Sequence, residues 1–140
     1  MPLPKITIQA SIAAPISRTW DYYTSPNHIV NWNFASDDWC CPSASNDLRV
    51  GGVFEARMEA KDGSFGFDFK TTYTALNVGH SFTYVMEDGR VVDLNMKSES
   101  DHTIVTIQFD PEDQNSLELQ QQGWQAILNN FKKYAESLMA

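Results

Sequence analysis

Side chains able to do acid–base, nucleophilic or metal chemistry are few and scattered along these 140 residues. His28, His80 and His102 fall on a helix start and two turn regions, at spacings that match neither a zinc site nor a base paired with a nucleophile. Each is expected to be an exposed polar residue. Asp37 and Asp38 could act as paired carboxylates, but neighbours in a loop usually point apart, and turn or capping duty is the simpler role. Cys40 and Cys41 are adjacent, so a bridge between them would close a strained small ring; the pair is expected to be reduced, and the acids beside it work against a reactive thiolate. Gly51-Gly52 lacks the pattern of a phosphate-binding loop. The sequence therefore assigns no catalytic residue, no metal ligand and no cofactor.

What the sequence offers instead is apolar contact. From Phe54 to Phe109, apolar and aromatic side chains recur at every second position: Phe54, Ala56 and Met58; Phe65, Phe67, Phe69, Thr71 and Tyr73; Phe82, Tyr84 and Met86; Val92, Leu94 and Met96; Val105, Ile107 and Phe109. A period of two puts each set on one face of a strand. Aromatic and thioether side chains make adaptable walls for apolar ligands, and the same stripes also suit a filled core. The alternate positions carry Glu55, Arg57, Glu59, Asp68 and Lys70, which pair in sign across the Asp62-Gly63 turn as a solvated outer surface would; a one-residue slip of register would turn Arg57 or Glu59 inward.

The elements that position these stripes are legible in order. Lys5 to Ile12 alternates as a strand, and two short helices follow, one opened by Pro15 and one after Ser25-Pro26. Asn33 to Val50 has no period and is expected to be a long loop, with Trp32 and Trp39 able to fold in as a lid or to pin the loop as a small cluster. Five strand-like runs then cover about Val53 to Ala60, Phe65 to Leu76, Phe82 to Met86, Arg90 to Lys97 and Thr103 to Phe109; Asp88-Gly89 suits a type I′ hairpin. Strands joined this tightly must be antiparallel. Asn115 to Leu138 closes the chain as a long amphipathic helix, its stripe running through Leu117, Gln121, Trp124, Ile127, Leu128, Phe131, Tyr134, Ala135 and Leu138, with Asn115 as expected N-cap and Glu118 three residues on. The expected fold is α+β: one domain over residues 1–140, a curved antiparallel sheet of about six strands wrapped around the C-terminal helix, with two short helices after the first strand.

Bulk properties bound the partners. With 18 acidic against 10 basic side chains the formal charge is −8, and no basic run occurs, which disfavours nucleic acid and anionic membrane. No stretch is long and apolar enough for membrane insertion, and the N-terminus has no signal-like core, so a cytoplasmic location is expected.

The order of elements and the run from Ile6 to Trp20 resemble the SRPBCC superfamily of START and birch-pollen-allergen-like domains, whose helix-grip fold is this sheet-around-a-helix arrangement. Within it, Trp32 to Trp39, Leu48 to Gly52, Met58 to Gly63 and Leu119 to Phe131 resemble bacterial single-domain proteins similar to the C-terminal domain of the activator of heat-shock protein 90 ATPase. One departure is Cys40, where the resembled proteins often have His after the loop tryptophan. The resemblance implies a cavity for lipids, hormones, polyketides or other apolar molecules, with catalysis in only some members. It does not carry over the chaperone-activating role, which belongs to a eukaryotic protein with a further domain.

The leading expectation is binding of a small hydrophobic or amphipathic molecule between sheet and helix, with Phe54, Met58, Phe67, Phe69, Tyr84, Met96, Trp124 and Phe131 lining the cavity and Trp39 near its mouth. An enzyme of cyclase or hydrolase type acting on such a ligand is the alternative, with Asp38, Glu59, Arg57 or a tyrosine as the working group. An interaction module or chaperone partner acting through the acidic surface is the third. A homodimer formed through the exposed sheet edge is compatible with all three.

Overall fold

The computed structural model describes residues 4–139. Its elements run β1 (Ile6–Ile12), α1 (Ile16–Thr24), α2 (Pro26–Ile29), β2 (Trp39–Asn46), β3 (Val53–Ala60), β4 (Gly66–Asn77), β5 (Ser81–Met86), β6 (Val91–Glu99), β7 (His102–Phe109) and α3 (Leu117–Ser137). The seven strands form one antiparallel sheet in the order β1-β7-β6-β5-β4-β3-β2. The sheet curls over α3, and α1 and α2 cover one end. The architecture is thus the α+β helix-grip arrangement. No helix among the described residues is long and apolar enough to cross a membrane.

The strand missing from the sequence expectation is β2, inside the segment read as a loop. It is an edge strand that pairs with β3 through a register shift between Cys40 and Ser43, and Pro42 sits in that irregularity. Proline lacks the N–H that a ladder needs and is tolerated at edges and bulges, so the segment never shows the alternation of a central strand. The β5–β6 turn also differs from the expectation. The Gly89 N–H donates to the Met86 carbonyl, and the Met86 N–H donates to that of Arg90. Gly89 has φ 93°, whereas Asp88 does not have positive φ. This is a type I turn followed by a glycine bulge rather than type I′. The bulge leaves Arg90 at the lip of the sheet.

Helix α3 begins one residue later than expected. Ser116, not Asn115, is the N-cap, its Oγ accepting from the Leu119 N–H at 3.0 Å. The buried positions of α3 are Gln120, Leu128, Phe131 and Ala135, whereas Leu117 and Leu138 at the ends of the expected stripe are exposed. In the first turn the inward position belongs to Gln120. Its Nε2 donates to the carbonyls of Glu112 and Asn115, and its Oε1 accepts from the Glu112 N–H. One amide therefore holds the whole β7–α3 connection, which accounts for a buried polar residue where a leucine would be expected.

Asp110, just past β7, ties three segments. Its carboxylate accepts from Lys5 Nζ at 2.6 Å and from the Val91 N–H at 2.9 Å. The Lys5 hydrogen bond, with help from the Val91 N–H, holds its pKa below the ordinary value. A lowered folded pKa means the contribution is present above the ordinary carboxylate range and is lost as pH falls through the folded value. Asp110→Asn is expected to cost about 0.5–1 kcal/mol at neutral pH, the group being partly solvated. The gap between parent and variant in denaturant midpoint should narrow as pH drops below about 4; a gap that stays constant to low pH would show that the charge is immaterial.

Candidate functional site

A cavity of about 350 Å³ lies between the concave face of the sheet and α3. Register explains why it is walled by aromatics. Phe54 stands opposite Thr71, Met58 opposite Phe67, and Tyr73 opposite Tyr84, so the stripes read from the sequence share one face. Across the cavity, Trp124 of α3 stacks on Phe109 with ring centroids 4.0 Å apart and planes 13° apart, and presents its edge to Phe69. These contacts brace the helix against the sheet while leaving the space beside them open.

The two ends differ. At one, Ile29, Trp32, Tyr73 and Phe82 are all buried, and α1 and α2 close the space. At the other, Phe67 is 40% exposed and the lining turns polar with Arg90, Glu112, Asn115 and Gln120. The second end is the mouth. It is framed by the β3–β4 hairpin, the β5–β6 turn and the first turn of α3.

Of the residues expected to line the cavity, Phe54, Met58, Phe67, Phe69, Tyr84 and Trp124 do so. Met96 and Phe131 are outside its wall. Both are buried in packed core, Met96 opposite Val105 on β7 and Phe131 against Tyr23 and Trp32, because the short helices fill the space at that end. Trp39 does not line the cavity either. It stands beyond the mouth on the same face of the sheet, 6.2 Å from Phe67 and 6.0 Å from the 60% exposed Phe65. Trp32, the other loop tryptophan, is a buried wall residue whose Nε1 donates to the Tyr22 carbonyl. Lining residues not anticipated include Tyr23 and Ile29 from the short helices and Asn33 and Asn46 from the segment without period.

Polar groups at the closed end are uncharged. Tyr73 donates to Asn46 Oδ1 at 2.9 Å, and Asn46 Nδ2 donates to the Thr24 carbonyl at 2.7 Å. Burial pushes the Tyr73 phenol up to about 12 despite the Asn46 bond. Burial likewise raises Tyr23 and Tyr84, and the neighbouring phenols add to it. Cys41, facing the core, is also raised by burial. Tyr73→Phe leaves Asn46 Oδ1 without its donor and is expected to lower unfolding free energy by about 1 kcal/mol, read from a urea midpoint. An unchanged midpoint would mean that water replaces the phenol.

The residues considered for catalysis lie elsewhere. Arg57 pairs with Glu59 at 2.9 Å and reaches toward Asp68 on the convex face, and Asp38 is exposed in the loop. His80 is exposed and His102 pairs with Asp101 at the β6–β7 turn. His28 departs from the expected exposed role: half-buried, it meets the Tyr134 hydroxyl at 2.6 Å and so ties α2 to α3 outside the cavity. Among the described residues no three His, Cys, Asp or Glu side chains gather as metal ligands.

Solved structures share this arrangement. An AHSA1-like protein from Aeromonas hydrophila is 43% identical, with 97% of this chain and 94% of that one covered and a TM-score of 0.91. The protein Chr148 from Cytophaga hutchinsonii is 44% identical over 96% of this chain and 94% of that one, with a TM-score of 0.82. A Chromobacterium violaceum protein at 20% identity, covering 96% of this chain and 99% of that one, has the same fold, with a TM-score of 0.83. No protein of curated function matches the chain. Residues 13–136 match the family described as Activator of Hsp90 ATPase homolog 1-like protein. With that match spanning most of its length, the chain belongs to the Activator of Hsp90 ATPase homolog 1-like family.

Proposed function

We propose that the protein binds one small hydrophobic or amphipathic molecule in the cavity between the sheet and α3. The observation that carries this reading is an open-ended space of about 350 Å³ with walls of Phe, Tyr, Met and Trp, on a fold that commonly binds hydrophobic ligands. Ligand pockets span roughly 300–1,000 Å³, so this one suits a compound of one to three rings rather than a two-chain lipid. Binding is favoured over turnover because Arg57, Glu59 and Asp38 are absent from the lining, its charged members Arg90 and Glu112 sit at the mouth, and the phenols inside are held protonated. Phe67, with Phe65 and Trp39 beside it, gives the mouth an apolar sill for an entering ligand. A cytoplasmic location is part of this reading.

Mass spectrometry of freshly purified protein under native and denaturing conditions tests the proposal. The expected result is a small molecule carried through purification, or saturable uptake of an apolar dye at one site per chain. No adduct together with no dye uptake would overturn it.

A further inference from the structure

We infer that the closed end of the cavity is a subsite for an uncharged oxygen function of the ligand, a ketone or other carbonyl, received by the hydroxyls of Tyr23 and Tyr84. The inference rests on the ligand-binding reading and specifies what chemistry that ligand carries. Three tyrosines surround Phe82: Tyr23 of α1 at 6.2 Å between ring centroids, Tyr73 of β4 at 5.4 Å and Tyr84 of β5 at 5.2 Å. Tyr73 has its partner in Asn46. The hydroxyls of Tyr23 and Tyr84 have none among the described residues, although no fully enclosed side-chain nitrogen or oxygen there lacks a partner. Both residues line the cavity, and a hydroxyl that has no partner and yet is not fully enclosed has that open volume beside it to reach into. Donors aimed into an apolar space are unfavourable until a ligand or water completes them.

The chemistry of the acceptor follows from what surrounds them. The phenols are shifted away from ionisation by burial and by one another, so they stay donors at neutral pH. The charged lining residues are Arg90 and Glu112, both at the mouth. A carboxylate at the closed end would therefore be desolvated without a cation, in a protein already carrying −8. A carbonyl meets two donors and loses little hydration on entry.

Three probes on one skeleton separate the possibilities: 2-ethylnaphthalene, 2-acetylnaphthalene and 2-naphthoate, titrated at neutral pH against the parent and against the Tyr23→Phe/Tyr84→Phe double variant. For the parent, the ketone is expected to bind roughly tenfold tighter than the hydrocarbon, as one good buried hydrogen bond allows, and the naphthoate more weakly than either. In the double variant the ketone's advantage over the hydrocarbon should vanish, while the hydrocarbon binds at least as tightly as to the parent because it no longer leaves two donors unmet, which also reports that the cavity persists. Equal binding of ketone and hydrocarbon to the parent overturns the subsite and leaves the cavity reading standing; so does a ketone advantage that survives in the double variant, or a preference for naphthoate. Failure of all three probes to bind the parent removes the cavity reading and this inference together.

Discussion

Phe131→Ala is expected to cost about 3–5 kcal/mol of folding free energy, the largest effect of any single truncation considered for this chain. Phe131 is 0% exposed. Its ring meets Tyr23 at 5.0 Å and 77° and Trp32 at 4.9 Å and 70°, both edge-to-face, the geometry that aromatic quadrupoles favour. One side chain thus joins α3 to α1 and to the turn after α2. The loss combines the transfer free energy of the ring with a void that rigid aromatic neighbours cannot close. Domains of this size hold roughly 5–15 kcal/mol in total, so a fall in melting temperature of about 10–20 °C should follow. Leu119→Ala on the same helix, at a position 55% exposed, is the control and should change stability by no more than about 0.5 kcal/mol. A Phe131→Ala cost below about 1 kcal/mol would mean that α1 and α2 close on the space, and that the closed end of the cavity is not rigid.

The architecture was legible because its signals are periodic. Strand stripes of period two and one helical stripe fix which faces meet, and β3 to β7 and α3 lie within a residue or two of where that periodicity puts them. What was not legible depends on features without a period. Strand β2 is an edge strand with Pro42 at a register shift, so its pairing leaves no alternation to read. Gln120 displaced the expected stripe because an amide whose hydrogen bonds satisfy three backbone groups can be buried without an unmet polar atom, and hydropathy cannot show that.

The same limit shaped the site. Phe54, Met58, Phe69 and Tyr84 follow from strand alternation alone, whereas the boundary between cavity and core does not. Met96 and Phe131 belong to the same stripes as true wall residues and differ only in having α1 or α2 packed near them. Tyr23, which carries the wall onto α1, shares a helical face with Ile16 and Trp20 and looks like plain core until α1 is placed against the cavity. Whether an inward aromatic is wall or filling depends on the neighbouring element, not on its own strand.

Trp124→Ala is expected to weaken binding of an apolar probe by about 1–3 kcal/mol, roughly 5- to 150-fold, while the fold survives. Trp124 differs from Phe131 in having protein on one side and the cavity on the other: it stacks on Phe109, sets its edge against Phe69 and lines the open space. Because part of its surface is already unfilled, truncation removes fewer packing contacts, and the stability loss should be clearly smaller than that of Phe131→Ala. For the ligand the loss is direct, since the indole is the largest side chain that α3 contributes to the wall. Trp124→Phe restores a flat aromatic surface and should recover much of the affinity. Truncation also enlarges the cavity, so the comparison needs two probes of different size; a bulkier probe that gains affinity in Trp124→Ala would still place the indole at the wall. If both probes bind parent and variant equally, Trp124 braces the helix and the ligand lies elsewhere.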